Sequence, residues 1–326
     1  MRKFLEIILS IILIIVSIQI LIYTILIILS TYKYFFIKEK NLISRYGKDS
    51  WVIITGGSSG QGKQFCLEFA KRGFNIFIIG SKRILDVEKE INSKYPKIKT
   101  KTMIKNFSEA YQKKFFDPIK YEIQKISNNV SILINNIGHR TGWNPYHEMP
   151  EDKINDTIIC GTIVQSRLIR LVLPYMLERR KKSAIINITA QCMHPNIGIG
   201  VGLSNEISLP YLSVYEAANA FGFYHANSLY KEYKDKIDFL NITPGAVVTE
   251  NTKYLEKTIF SVNSNKFVNN IIKFLGNVNG TTCAYWGHGF TLILINFFPF
   301  IKNRILKNVG DTISKEYMEN FNLKKY

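Results

Sequence analysis

The sequence predicts a doubly wound α/β domain, one parallel sheet with helices on both faces, carried on a hydrophobic N-terminal helix. Three observations lead there. Six short runs rich in β-branched residues recur between residues 51 and 243, they are apolar throughout, and longer amphipathic stretches separate them. A strand buried on both faces has no solvent side, so it reads as a continuous apolar run, and parallel neighbours need a crossover long enough to hold a helix. With the apolar N-terminus set aside, the 326 residues leave room for a single domain of this kind.

Residues 4–30 are nearly all apolar. As a helix they reach about 40 Å, against a hydrocarbon core of about 30 Å. The segment is too long for a signal-peptide core and lacks a small-residue cleavage site, so residues 1–30 read as an uncleaved transmembrane anchor. Arg2 and Lys3 precede it, and Lys33, Lys38, Lys40, Arg45 and Lys48 follow it in a basic stalk over 31–48. The positive-inside tendency then puts the domain in the cytosol. Four cysteines without a CxxC pair agree with a reducing compartment, and five histidines without HxxxH or HExxH spacing point to no metal. The net charge of +18 comes from a chain that leans to Lys throughout; the longest basic cluster, at 179–182, falls in a helix-to-strand loop. No basic-aromatic module accompanies it, so nucleic acid is not an expected partner.

The domain is expected over 49–275. Its strands are WVIIT (51–55), NIFII (75–79), KTMIK (101–105), VSILIN (130–135), AIINIT (184–189) and DFLNIT (238–243). Helices are expected up to Arg72, over 84–94, through the 110s and 120s, in one long region over 151–180, and over 214–234. Residues 276–326 read as a membrane-associated tail. Its apolar run at 290–301 is too short to span alone and fits an interfacial or re-entrant segment, with an ordinary buried helix as the alternative.

The first strand leads into Thr55-Gly56-Gly57-Ser58-Ser59-Gly60-Gln61-Gly62 and then a helix. Gly56, Gly60 and Gly62 let the backbone turn tightly and approach a pyrophosphate, and the helix N-terminus offers free N–H groups and the positive end of its dipole. Position and order make this a Rossmann-type nucleotide loop, with Ser58, Ser59 and Gln61 as further candidate contacts. The second strand ends in Gly80-Ser81-Lys82-Arg83 without the acid that would hold an unmodified ribose. Two cations there favour a 2′-phosphate, hence NADP(H) over NAD(H); the alternative is two solvated helix-start residues.

The spacing Thr-Gly-x-x-x-Gly-x-Gly resembles the short-chain dehydrogenase/reductase superfamily. So do Asn135-Asn136-Ile137-Gly138 after the fourth strand, Leu171-Val172-Leu173-Pro174-Tyr175-Met176 in the long helix, and Pro244-Gly245 after the sixth strand with Thr249 beyond. The likeness covers about 49–250. With its apolar anchor, Tyr46-Gly47 before the first strand and an apolar C-terminal part with a basic end, the chain looks closest to the membrane-bound 17β-hydroxysteroid dehydrogenase type 12 and 3-ketoacyl-CoA reductase branch. That resemblance implies an endoplasmic reticulum membrane protein that reduces a lipid-like ketone, a 3-oxoacyl-CoA or a steroid, with NADPH. It also implies coenzyme contacts at Asn106, Asn136, Gly138, Pro244, Gly245, Thr249, Tyr215 and Asn219.

The family's active site is a Tyr with a Lys four residues on, a Ser and an Asn. Tyr215 matches in helix register, but Asn219 stands at the Lys position, Ala190 at the Ser position and Gly161 at the Asn position. The Tyr-x-x-x-Lys pairs Tyr121/Lys125 and Tyr230/Lys234 lie elsewhere in the fold. The stretch from Ala190 to Tyr215 is longer than usual and carries His194, Gly198, Gly200, Gly202 and Ser204. It reads as a flexible loop. Neutral Tyr is the proton donor in reduction, so Lys loss alone is tolerable; Thr189, Gln191 or Ser204 are candidates to replace the Ser. Two readings follow: a reductase with Tyr215 as the catalytic residue, or a nucleotide-binding scaffold without turnover.

Overall fold

The computed structural model describes residues 1–126, 129–138, 142–191, 208–252, 258, 260–297 and 299–320. Its strands are β1 (Trp51–Thr55), β2 (Asn75–Gly80), β3 (Thr100–Ile104), β4 (Val130–Asn135), β5 (Ser183–Ile188), β6 (Ile237–Ile242), β7 (Val247–Val248), β8 (Val262–Asn263) and β9 (Gly280–Thr282). Seven form one parallel sheet in the order β3-β2-β1-β4-β5-β6-β9, and β7 pairs with β8. The chain leaves β1 toward β2 and β3, then returns to β4 on the other side of β1, which puts the switch point at the carboxyl ends of β1 and β4.

All six expected strands are present, within one residue at each end. β9 lies inside the stretch read as a tail, so the sheet extends past residue 276. Three residues are too few for an apolar run to register.

Successive strand residues enter opposite core layers, as the pleat requires. Val52, Ile54, Ile76 and Ile78 pack with Phe65 and Phe69 of α3 (Gly60–Lys71), with Ile84 and Val87 of α4 (Ile84–Lys94) and with Phe267 and Ile271 of α9 (Ser264–Phe274). Ile53, Phe77 and Ile79 pack with Ile119 of α5 (Asp117–Lys125) and Leu168 and Val172 of α7 (Gln165–Glu178). Both faces of the inner strands are covered, which is why β1, β2 and β4 are largely apolar, whereas the edge strand β3 (TKTMI) is half-exposed and carries Lys101.

The long helical region is not uniform: α6 (Glu151–Ile158) passes into α7 through a π turn at Ile159–Val164. A π turn in an α-helix often marks a functional position, and this one carries Gly161. α8 (Ser213–Tyr233) packs on β6, on β9 and on that turn.

α1 (Arg2–Thr31) runs into a second π turn at Tyr32–Phe36; the combined helix is long and apolar enough to cross a membrane, and none of its apolar window is buried. The segment after it is fastened to the domain. Lys33 Nζ donates to Thr282 Oγ1 (2.9 Å), and Lys40 Nζ donates to the Gly276 carbonyl (2.6 Å). Glu39 pairs with Arg72 (2.7 Å). Next, α2 (Leu42–Tyr46) delivers Arg45 and Tyr46 to Asp238 in β6: Arg45 binds both carboxylate oxygens (2.6 and 2.8 Å) and the Tyr46 hydroxyl donates to one (2.7 Å). Asp238 is 1% exposed, so the paired guanidinium is what makes a charge tolerable there.

The chain ends in α10 (Trp286–Phe297), which packs against α1, and α11 (Pro299–Asn320), which folds back over the domain.

Candidate active site

The loop after β1 is shaped by glycine. Gly56 and Gly60 sit at φ +66° and +52°, in the left-handed region. A Cβ on Gly62 would collide with the Gly56 carbonyl oxygen and lie 2.7 Å from Asn136 Nδ2. A Cβ on Gly57, a position sequence reasoning passed over, would collide with the Ile78 side chain. Thr55 and Asn136 pin the cradle to β4: Thr55 Oγ1 accepts from the N–H groups of Asn136 and Ile137 (3.0 and 3.1 Å), and Asn136 Nδ2 donates to the Thr55 and Gly56 carbonyls (3.1 and 3.4 Å). Gly138 faces open space.

Ser59 holds the N-cap position of α3 but makes no side-chain cap bond, which leaves that helix end to an outside acceptor. Beside it, Gln61 Oε1 is buried and unpaired. An orphaned polar atom in a glycine-cut hollow at the switch point fits a bound group that brings hydrogen-bonding partners of its own. The residues present therefore fit a dinucleotide.

The surroundings of the cradle come from separate loops. Ser81 Oγ donates to Ser58 Oγ (3.0 Å), joining the end of β2 to the glycine loop. Lys82 and Arg83 are exposed, and Arg83 pairs with Glu250 across the cleft (3.2 Å). Thr249 lies 3.3 Å from where a Cβ on Gly60 would stand. Asn106, exposed after β3, caps its own turn by accepting from Ser108 N (3.3 Å).

The catalytic side is different in kind. Tyr215 and Asn219 stand one turn apart on α8, and Asn219 Nδ2 donates to the Tyr215 carbonyl (2.7 Å). The amide at the family's Lys position is thus engaged within its own helix. Ala190 is 6% exposed and offers no hydroxyl. Gly161 packs onto α8, where a Cβ would come within 2.8 Å of Ala218 Cβ. One turn on, Gln165 Nε2 donates to the Gly161 carbonyl (3.1 Å) and its amide presses on Gly222.

The candidate replacements for the Ser are occupied as well. Thr189 Oγ1 donates to the Ile242 carbonyl (3.0 Å), while Gln191 Nε2 donates to the His288 carbonyl and its backbone N–H donates to the Pro244 carbonyl (2.9 Å). Ser204 lies outside the described residues, with Cys192, His194, Gly198, Gly200 and Gly202. His288 of α10 packs under Gly245 and lies 3.1 Å from the Ala246 carbonyl through Nε2; burial holds its imidazole down to about 4. Burial pushes the Cys160 thiol up to about 12 and raises those of Cys66 and Cys283, so these three are inert packing groups at neutral pH. Among the described residues no group of three metal-binding side chains exists.

Comparison with known proteins sets this geometry in context. A family profile described as short chain dehydrogenase matches residues 50–259. The chain is 30% identical over 277 residues to the very-long-chain 3-oxoacyl-CoA reductase of Bos taurus, covering 82% of each chain. It is 28% identical over 268 residues to the inactive hydroxysteroid dehydrogenase-like protein 1 of Homo sapiens, covering 79% of this chain and 74% of that one. In fold it superposes on a short-chain dehydrogenase from Sphingobium yanoikuyae, solved in complex with NADPH, with TM-score 0.60 and 19% identity over 72% of this chain and 87% of that one. A cradle cut by glycine, a tyrosine in helix register and a seven-stranded parallel sheet thus belong together: the chain is a member of the short-chain dehydrogenase family.

Proposed function

We propose that the protein is a membrane-anchored reductase of the keto group of a lipid, a 3-oxoacyl-CoA or a steroid, with NADP(H) as coenzyme and its domain on the cytosolic side of the endoplasmic reticulum membrane. One observation carries this reading: the glycine cradle with its orphaned Gln61 oxygen at the switch point of a sheet against which α8, the helix of Tyr215, packs. The Bos taurus reductase, similar over 82% of its length, supports the substrate class.

The residues that would hold the coenzyme are Gly56, Ser58, Ser59, Gly60, Gln61 and Gly62 at the pyrophosphate, Ser81, Lys82 and Arg83 at the 2′-phosphate, Asn106, Asn136 and Gly138 along the nucleoside, and Asn219, Pro244, Gly245 and Thr249 toward the nicotinamide. When bound, NADPH supplies a hydride to the carbonyl carbon. Tyr215 gives its phenolic proton to the carbonyl oxygen. The basic surface answers the phosphates of an acyl-CoA while its chain partitions into the bilayer. Residues 1–30 act as anchor, 31–48 join it firmly to the domain, and the part of 276–326 beyond β9 acts as a membrane-associated end.

A second reading, coenzyme binding without turnover, is favoured by the catalytic side itself. Gly161, Ala190 and Asn219 supply none of the family's three helpers, and Thr189 and Gln191 are hydrogen-bonded elsewhere. The relative from Homo sapiens named inactive supports it.

Titration of the purified full-length chain with NADPH and NADH, followed by a 3-oxoacyl-CoA or a steroid ketone, separates the two. The reductase reading expects NADPH binding and ketone-dependent oxidation that Tyr215→Phe abolishes. Binding without oxidation for either substrate class selects the scaffold, and turnover gained in Asn219→Lys with Ala190→Ser would strengthen that choice. Absence of binding removes both.

A further inference from the structure

Tyr215 stands in the first turn of α8, and that turn begins without a cap. Its N-cap residue is Leu212, which carries no polar side chain and makes no cap bond. Ser213 is exposed, and the buried face of the helix starts only at Glu216 and Ala218. An uncapped first turn is where a helix frays. Asn219 turns its amide back to the Tyr215 carbonyl, and Gly161 has no side chain to offer.

The loop ahead of the turn is held from outside the helix. Leu209 donates its N–H to Glu216 Oε1 (2.8 Å) and packs against the cluster of Cys283, Leu292 and Leu306. Pro210 lies on Gly310 of α11, where an added Cβ would stand 2.6 Å from its ring. The Tyr211 hydroxyl donates to Asp311 Oδ1 of the same helix (2.8 Å). Tyr211 sits at φ +72°, a strained backbone that a non-glycine residue keeps only where its surroundings fix it. With Pro210 and Tyr211 both gripped by α11, that helix is the fixing element.

α11 is fastened in turn to the other side of the crevice. Leu306, Gly310, Ser314 and Tyr317 follow one another at spacings of four, four and three, on one helix face. Ser314 Oγ donates to the carbonyl of the buried Trp143 (2.7 Å). Tyr317 lies over Gly142, its hydroxyl 3.1 Å from where a Cβ would stand. Both contacts fall beyond the end of β4, and Asn136 after that strand pins the glycine cradle. Asp311 and Ser314 are one turn apart, so a single turn of α11 reaches the loop before Tyr215 and the loop after β4.

We propose that Tyr211 is a positioning residue for Tyr215. Through Asp311 it latches the first turn of α8 to α11, and α11 holds that turn at a set distance from the cradle. Placement of a proton donor is sensitive to shifts of about 1 Å, a tolerance that an uncapped turn does not keep alone. The role rests on the reading of Tyr215 as the proton donor in a reductase.

The test is steady-state kinetics of the full chain with NADPH and a 3-oxoacyl-CoA, repeated with a steroid ketone, beside thermal unfolding of each variant. Tyr211→Phe removes one hydroxyl and keeps the ring. Its kcat should fall about tenfold, while KM and the Kd for NADPH stay within about twofold of the native values. Asp311→Leu should lose as much, and Tyr211→Phe combined with Asp311→Leu should lose no more than either alone. Asp311→Asn still accepts from the hydroxyl and should keep most of the native rate. An active native chain with unchanged kcat in Tyr211→Phe, or with a change confined to Tm, overturns the role of Tyr211 and leaves the reductase reading standing. A native chain that binds NADPH but oxidises none of it with either ketone overturns that reading, and the role of Tyr211 with it.

Discussion

The two halves of the site respond to sequence change in opposite ways. In the nucleotide half, the backbone itself forms the cradle, and Gly57 and Gly62 leave no space for a single added carbon. In the catalytic half, side chains carry the chemistry, and three of them differ from the family's while the helices remain packed: Ala190 is buried and Gly161 rests on Ala218. A site made of main chain cannot drift without disturbing the fold. A site made of side chains can lose its reactivity and keep its stability.

The sharpest way to break this comparison is Gly62→Ala. The new methyl meets the Gly56 carbonyl, which cannot yield as a flexible side chain would. The expected cost is about 3 kcal/mol of stability with loss of coenzyme binding, read by thermal unfolding and by titration. A Gly62→Ala variant with native Tm and unchanged coenzyme affinity would end the claim that the cradle is backbone-limited.

Next in size is a pH effect in the catalytic half. His288 is 1% exposed, and burial lowers its imidazole from the ordinary 6.5 to about 4. The unfolded chain therefore takes up a proton that the folded chain refuses. Stability is full above pH 6.5 and falls as pH drops through 6.5 to 4, by about 3 kcal/mol at most, then levels off. Urea unfolding of the native chain and of His288→Gln across that range should show the slope only in the native chain. Parallel curves would mean that the ring is more hydrated than its packing indicates.

A smaller effect is expected at Gly161→Ala. Helix propensity favours Ala by about 1 kcal/mol, and the 2.8 Å approach to Ala218 costs about 1–3 kcal/mol. The net loss should be about 1 kcal/mol, well below that of Gly62→Ala in the same unfolding assay. Equal losses would erase the contrast between the halves.

The smallest concerns Arg83, which is exposed and shares its charge with Glu250. Arg83→Gln should weaken NADPH by about fivefold, about 1 kcal/mol, and leave NADH unchanged. Equal weakening of both coenzymes would remove it as the reader of the 2′-phosphate.

Legibility in the sequence followed the same division. The inner strands were readable because burial on both faces leaves a largely apolar run, the half-exposed β3 by its place between two helices, and the glycine loop because positive φ and close approach admit little else. The helix that carries Tyr215 was readable as well, expected over 214–234 and found as α8. Contacts between distant segments left no such trace. Nothing local announces that Gln165 bonds to Gly161, that Gln191 turns to α10, or that Gly57 lies against Ile78. β9 escaped because three residues make no pattern, and α11 gave no sign of returning to the loops at Trp143 and Tyr211. The residues at 31–48 read as a basic stalk, yet Lys33, Lys40 and Arg45 are all bonded to the domain.

Arg45 and Tyr46 on Asp238 make a stiff joint rather than a swivel between helix and domain. A body on a swivel must surrender rotational entropy each time it meets a partner in one attitude, and ordering of this kind counts against every association. Here the folded joint has already removed that freedom. Each encounter begins with the domain facing one way.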